Sequence, residues 1–412
     1  MTATIPRTIS ALRCVACGTE QPADERYVCA RCFGPVEPIY DLASLRAADL
    51  AATIAAGPRS IWRYAPLLPC APPGRGLTVG CSPLVRAPRL GEALGLDDLW
   101  VKDDTRGPTL SFKDRPVAVA TARALELGQG TIACASTGNL AGAVAAAAAA
   151  AGLRAFAFMP ASTEPAKVAA ASAYGATVVR VRGTYDQVNR LCAGLADDLG
   201  WGFVNFTLRP YYAEGSKTLL FEIAEDLGWR LPDHVVIPVG SGALLTRTAA
   251  AAAQLAAAGL VEDGRLRISA AQPAGCAPVT DAVLDGFAPV RPVRAPATVA
   301  KALAIGSPAD GDRSVALVRA SGGSAASVSD EAIVDACALA ARTEGILLEP
   351  AGGVVVAAAR ELAVSGGIAR SERVVLYLTG NGHKGFPAEA RLAPEIDADA
   401  DAFRGAYGEA IL

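Results

Sequence analysis

Apolar and polar positions along this chain follow two alternating periods. Short apolar runs of strand character recur at LWVK (Leu99–Lys102), TIACA (Thr131–Ala135), AFAFM (Ala155–Met159), TVVRV (Thr177–Val181), HVVIPV (His234–Val239), RISAAQ (Arg267–Gln272) and RVVLYL (Arg373–Leu378). Patterns of helical period lie between them. In KTLLFEIAEDLGW, Leu220, Ile223, Ala224 and Leu227 fall at i, i+3, i+4 and i+7, while Glu222, Glu225 and Asp226 share the other side. The alanine tract AGAVAAAAAAAG (Ala141–Gly152) sits where another helix is expected. Strand–helix alternation predicts an α/β fold with mostly parallel sheets, whose ligands gather at the carboxyl ends of the strands.

The alternation begins only at Leu99. The first forty residues differ, and contain LRCVACGTEQPADERYVCARCFGPVEPIYDL. Cys14 and Cys17 form one CxxC, and Cys29 and Cys32 form a second after eleven intervening residues. Two such knuckles suit a four-thiolate tetrahedral zinc site, a zinc ribbon. Gly18 and Gly34 follow the knuckles where the backbone must turn. A ribbon this small buries little core, so metal would supply its folding energy. Residues 45–80, with Pro66, Pro69, Pro72 and Pro73, read as a linker.

Composition narrows the class. At 412 residues the chain exceeds one small core, so two domains and a small extra module are expected. A net charge of −3 gives no basic field for nucleic acid or an anionic membrane. The apolar share of 52% is inflated by alanine, and no stretch reads as a membrane span. The N-terminus, MTATIPRTISALRC, lacks an apolar signal core, so a cytoplasmic enzyme is expected. Ten cysteines then point to reduced thiols.

Three strand ends carry polar, glycine-rich turns: Ser136-Thr137-Gly138-Asn139, then Gly240-Ser241-Gly242-Ala243-Leu244 in PVGSGALL, and Thr379-Gly380-Asn381-Gly382 in LTGNGHKG. Free N–H groups and the helix dipole suit such turns to anions. Each alone also reads as an ordinary turn with a capping residue. In PTLSFKDR, Lys113 stands at the mouth of a helix, where the dipole and loss of water both favour the neutral amine. A nucleophilic lysine with a phosphate cradle elsewhere is what a pyridoxal phosphate enzyme requires. The local alternative, which the segment by itself favours, is a surface lysine paired with Asp114.

At these residues the sequence resembles the threonine synthase family of fold-type II pyridoxal phosphate enzymes, in its longer form with an N-terminal cysteine ribbon. The likeness runs from the cysteines to about Gly385. It implies a two-domain, three-layer αβα fold with a small zinc-ribbon-like module of four cysteines. Segments 1–45 would be the ribbon, 46–110 linker and start of the large domain, 111–205 the smaller α/β domain, and 206–412 the larger one with the glycine loop. The resemblance implies Lys113 as the Schiff-base lysine, Asn139 at the cofactor 3-hydroxyl and Thr379 at the pyridine nitrogen. Gly240, Ser241, Gly242, Ala243 and Leu244 take the place of the phosphate cradle, although the family's usual cradle carries an asparagine and further glycines. Ser136, Thr137 and Gly138 would hold the substrate carboxylate. VRGTYDQVNRLC, FVNFTLRPYYAEGSKTLLFEIAEDLGW and PATVAKALAIGSPADG carry further likeness.

The implied reaction converts O-phospho-L-homoserine and water to L-threonine and phosphate, so a second anion site is needed. Arg209, Ser216 and Lys217 in LRPYYAEGSKT are its candidates, with Arg115 a further one unless it pairs with Asp114. The family also implies a homodimer. Two sister activities share the motif set: cysteate synthase, using phosphoserine and sulfite, and serine/threonine dehydratase. A different class is a zinc-ribbon binding protein with a decayed catalytic body. Its basic residues Arg7, Arg13, Arg26 and Arg31 are offset by Glu20, Asp24, Glu25 and Glu37, which leaves little for a nucleic acid to hold. Cys134, Cys192, Cys276 and Cys337 read as core, and His234 as structural. Glu349 in ILLEPAGG is expected to satisfy backbone N–H groups, and His383 to cap a helix or pack at the rim of the site.

Overall fold

The structure is a computed structural model. It describes residues 9–23, 27–42, 45, 47–262 and 265–386, with positions 395, 398, 400–403 and 406 beyond. Arg7, Asp24, Glu25 and Arg26, counted above in the ribbon's charge balance, lie outside the described residues.

Three sheets organise the chain. Strands β1 (Ile9–Cys14), β2 (Glu20–Gln21) and β3 (Val36–Tyr40) form a small antiparallel sheet in the order β2-β1-β3. Next come β4 (Leu84–Arg86), β5 (Asp98–Asp103), β6 (Thr131–Ala135), β7 (Arg154–Pro160), β8 (Thr177–Val181) and β9 (Gly202–Phe203). The last four are β10 (His234–Pro238), β11 (Arg267–Pro273), β12 (Ala325–Val328) and β13 (Arg373–Leu378). The larger sheet runs β12-β11-β10-β13-β5-β4 and the smaller β8-β7-β6-β9. Both are parallel apart from the antiparallel edge strand β4.

The apolar runs are continuous because both faces of each sheet are covered. Along β13, Val374, Leu376 and Leu378 pack into one core while Val375 and Tyr377 pack into another. In the smaller sheet, Ile132 and Cys134 face one core, and Ala133 and Ala135 face a second. Opposite faces alternate with the two-residue strand period, so a three-layer arrangement follows. The alanine tract becomes the helix Asn139–Ala151, buried along most of its length. Alanine lets that helix lie close against the strands and its neighbours.

Three expectations are corrected. The proline-rich stretch at 45–80 is packed: Tyr64, Leu67 and Leu68 are fully buried, and Ile61 and Trp62 join the core beneath the ribbon. In the helix Thr218–Asp226, Glu222 lies buried beside the apolar stripe. Its carboxylate meets Arg115 at 2.6 Å and Lys102 at 2.9 Å. Arg115 in turn pairs with Asp104 at 2.8 Å, so its partners are Asp104 and Glu222 instead of Asp114. Burial alone would raise Glu222, but the Arg115 and Lys102 charges overcome it and bring the carboxyl to about 2. Among the described residues no helix is long and apolar enough to cross a membrane.

Candidate active site

Lys113 immediately precedes the helix Asp114–Glu126, and the loop before it is tightly constrained. Asp114 accepts the Thr109 N–H at 2.9 Å and the Thr109 hydroxyl at 2.5 Å. A side chain at Gly107 would put its Cβ 2.5 Å from Asp114 Oδ2, which explains the glycine. The loop is stitched to the exit of β13: Phe112 N–H donates to the Thr379 carbonyl at 3.0 Å, and Asn381 N–H to the Leu110 carbonyl at 3.1 Å. Two of the motifs found in the sequence are thereby joined through backbone hydrogen bonds.

The third strand-end partner comes from β6. Ser136 Oγ accepts N–H groups of Gly138 and Ala141, both at 2.9 Å, so this hydroxyl shapes the turn. Gly138 has φ +136°, and a Cβ there would lie 2.3 Å from Lys167 Cδ. Asn139 Nδ2 donates to Glu349 Oε1 at 2.7 Å. Glu349 is buried, and its carboxyl is the reason for Gly380: a Cβ at that position would lie 1.9 Å from Oε1. Glu349 therefore contacts the Asn139 amide, where backbone N–H groups were expected.

These pieces line one cavity of about 900 Å³. Lys113, Asn139, Glu349 and Thr379 share it with the Gly240–Leu244 turn, and with Ser136, Thr137, Arg209 and Ser216. Burial draws the Lys113 amine down to about 8, against an opposing pull from Glu349. Burial likewise raises Glu349, opposed by the positive charges of Lys384 and Lys167. Gly242 has φ +89°, and a Cβ there would press within 2.6 Å of Ser314 Oγ. That backbone opens the helix Ala243–Ala257, whose first N–H groups have no partner within the helix.

Not every candidate arrives. Lys217 is buried outside the cavity lining, paired with Glu214 and donating to Gln254 at 2.6 Å. Its place at the head of an amphipathic pattern gave no sign of this inward turn. Gly138 is likewise absent from the lining, covered by Lys167. Arg209 does line the cavity, but is paired with Asp310 at 2.7 Å. His383 is exposed, its N–H held by Asn381, while its neighbour Lys384 is turned in and donates to the Thr109 carbonyl at 2.9 Å. Lys384 stands inside the LTGNGHK turn, so a signal was present; Lys167 carried none. His234 is structural as expected, fully buried between Ser269 and Glu372, and the four core cysteines are buried.

Residues 76–380 match the pyridoxal-phosphate dependent enzyme family. The threonine synthase of Methanosarcina acetivorans is 37% identical over 97% of this chain and 99% of its own. That of Methanocaldococcus jannaschii is 33% identical over 93% and 95%. The chain belongs to the threonine synthase family of pyridoxal-phosphate dependent enzymes. Among solved structures, a fungal L-serine ammonia-lyase from Rhizomucor miehei aligns with a TM-score of 0.62 over 73% of this chain and 94% of that one, at 21% identity. That likeness speaks for the type II fold.

The ribbon cysteines also converge. The sulfurs of Cys14, Cys17, Cys29 and Cys32 all lie within 4.8 Å of one another, with Cys14–Cys32 at 3.5 Å and Cys17–Cys29 at 3.6 Å. A tetrahedral zinc with bonds of about 2.3 Å sets its sulfurs roughly 3.8 Å apart, so this cluster is near the size a zinc ion needs.

Proposed function

We propose that this chain is a threonine synthase that converts O-phospho-L-homoserine and water to L-threonine and phosphate. The observation that carries the reading is the convergence of Lys113, Asn139, Thr379 and the Gly240–Leu244 turn on one cavity, in a chain of this family. The residues fit pyridoxal phosphate. Asn139 Oδ1 is buried with no partner among the described residues, and a hydroxyl in the cavity would give it one. The glycine turn, with its Cβ-intolerant Gly242, opens the helix Ala243–Ala257 and turns the first backbone N–H groups of that helix to a phosphate.

When bound, pyridoxal phosphate supplies an aldehyde for Lys113 and a ring that delocalises electrons from the substrate's α carbon. Gly240, Ser241, Gly242, Ala243 and Leu244 hold the phosphate. Asn139, oriented by Glu349, meets the 3-hydroxyl. The Thr379 hydroxyl meets the ring nitrogen, and cannot hold a full positive charge there as a carboxylate would. Lys113 is suited to proton transfer at neutral pH because burial leaves about a tenth of the amine as free base at pH 7. It takes a proton from the substrate α carbon and then one from the β carbon; phosphate leaves from the γ carbon, which regains a proton to become the methyl, and water adds its hydroxyl at the β carbon as the α carbon is reprotonated. Thr137, with the turn that Ser136 shapes, takes the substrate carboxylate. Arg209 and Ser216 take the substrate phosphate; Arg209 does so by exchanging its Asp310 partner. Structural zinc at the four thiols, a homodimeric state and a cytoplasmic location complete the proposal.

Phosphate release from O-phospho-L-homoserine, set against release from phosphoserine with sulfite, tests it. Turnover of the first, lost in Lys113→Ala along with the visible band of the bound cofactor, is expected. Release only from phosphoserine with sulfite, or wild-type rates in Lys113→Ala, would overturn it.

A further inference from the structure

The two large sheets do not enclose the cavity by themselves. Val15, Ala16, Phe33, Pro35 and Glu37 of the cysteine module line it as well. Their positions are specific. Val15 and Ala16 are the two residues inside the first CxxC, and Phe33 directly follows the second. A Cβ added to Gly34 would lie 3.1 Å from Ala16 Cβ and 3.2 Å from the sulfurs of Cys14 and Cys32, so knuckles and cavity wall are one packed unit. Phe33 lines the cavity and is 79% exposed.

The module is tied to the body by apolar packing and by Tyr27, which donates to Asp197 at 2.6 Å, but its charged tie beside the cavity is Glu37. The Glu37 carboxylate is gripped by Arg247 and by Arg313. Arg247 lies one turn into the helix Ala243–Ala257, which the glycine turn opens. Arg313 lies in the helix Gly311–Ala320, which begins beside Asp310, the partner of Arg209. Arg247 also meets Glu214 at 2.7 Å, and Glu214 accepts the hydroxyl of Tyr40 from the same ribbon strand as Glu37. Three of these groups, Arg247, Glu214 and Tyr40, are turned into the protein, and a neutral side chain at 37 would leave two arginines short of a counter-charge.

We infer that Glu37 is a positioning residue for the reaction: by latching onto Arg247 and Arg313 it holds the two cysteine knuckles as the outer wall of the substrate cavity. The substrate side of this inference rests on the reading given under Proposed function. A module that served stability alone would lower the amount of folded enzyme, and so the apparent kcat, without changing KM. A cavity wall changes KM.

Full-length, cofactor-loaded Glu37→Gln and Phe33→Ala are the test. KM for O-phospho-L-homoserine is expected to rise about five- to tenfold in each, with kcat within about twofold of wild type. Phe33 is exposed, so its variant keeps the fold and decides the matter even if Glu37→Gln does not fold. Amide hydrogen exchange supplies a readout free of activity: Glu37→Gln should expose residues 243–247 and 311–314 to faster exchange. Unchanged KM in Phe33→Ala, or a loss confined to kcat, overturns the inference. If wild type does not turn over this substrate, the proposed function falls, while the exchange result still decides whether the latch exists.

Discussion

The lowered pKa of Lys113 gives a prediction that can be worked through. With the amine near 8, about a tenth of it is neutral at pH 7, against about one part in 3,000 for an unperturbed lysine. Covalent capture of pyridoxal phosphate by the apoprotein requires the neutral amine, so capture at pH 7 should run about 300-fold faster than at an ordinary lysine of equal access. The rate should climb about tenfold per pH unit below 8 and level off above it. Stopped-flow absorbance after mixing apoprotein with the cofactor reads this directly. Glu349 opposes the shift, so Glu349→Gln should move the midpoint lower still, while Asn139 loses its 2.7 Å acceptor. A midpoint near 10.5 in the wild type would show that the amine is solvated, and the desolvation argument would fail. A midpoint that rises in Glu349→Gln would show that the carboxylate does not act on this lysine.

Four further outcomes are expected. Arg115→Met takes the buried cation from Asp104 and leaves Glu222 with Lys102 alone, and should cost about 3–5 kcal/mol in urea unfolding, with Arg115→Lys a poor rescue because it lacks the planar fork. The same network gives a pH dependence: Glu222 is held at about 2, below its usual value, so its contribution to stability is present above about pH 4.5 and is lost as the pH falls through about 2. Denaturation of Glu222→Gln should therefore show a smaller difference from wild type at pH 2 than at pH 7. Gly380→Ala drives a methyl into the Glu349 carboxyl and should weaken cofactor retention by at least about tenfold in equilibrium dialysis, whereas Gly194→Ala, at an exposed helical position where a Cβ meets nothing, should leave retention unchanged. Elemental analysis should find about one zinc per chain, lost in Cys14→Ser.

Much of this protein's fold is legible in its sequence. The apolar runs read as strands at Leu99, Thr131, Ala155, Thr177, His234, Arg267 and Arg373 coincide with β5, β6, β7, β8, β10, β11 and β13. Burial on both faces makes such runs dense in apolar residues, and density is a local signal. The short strands β2, β4, β9 and β12 were not legible, being two, three, two and four residues long, and β1 and β3 of the cysteine module were not read as strands either. The cysteine spacing anticipated the cluster of four sulfurs, since two knuckles carry their own geometry.

The sequence by itself determined the strand–helix alternation, the four-thiol cluster, and the lysine and glycine turns from which a site could be assembled. Tertiary structure decided which charges meet. It turned Lys217 into the interior, buried Glu222 against Arg115, set Glu349 on Asn139, and placed Glu37 between Arg247 and Arg313. The reason lies in range. Helical and strand periods report on neighbours a few residues away, whereas Glu37 and Arg247 are 210 positions apart and only the packing of separate elements brings them together.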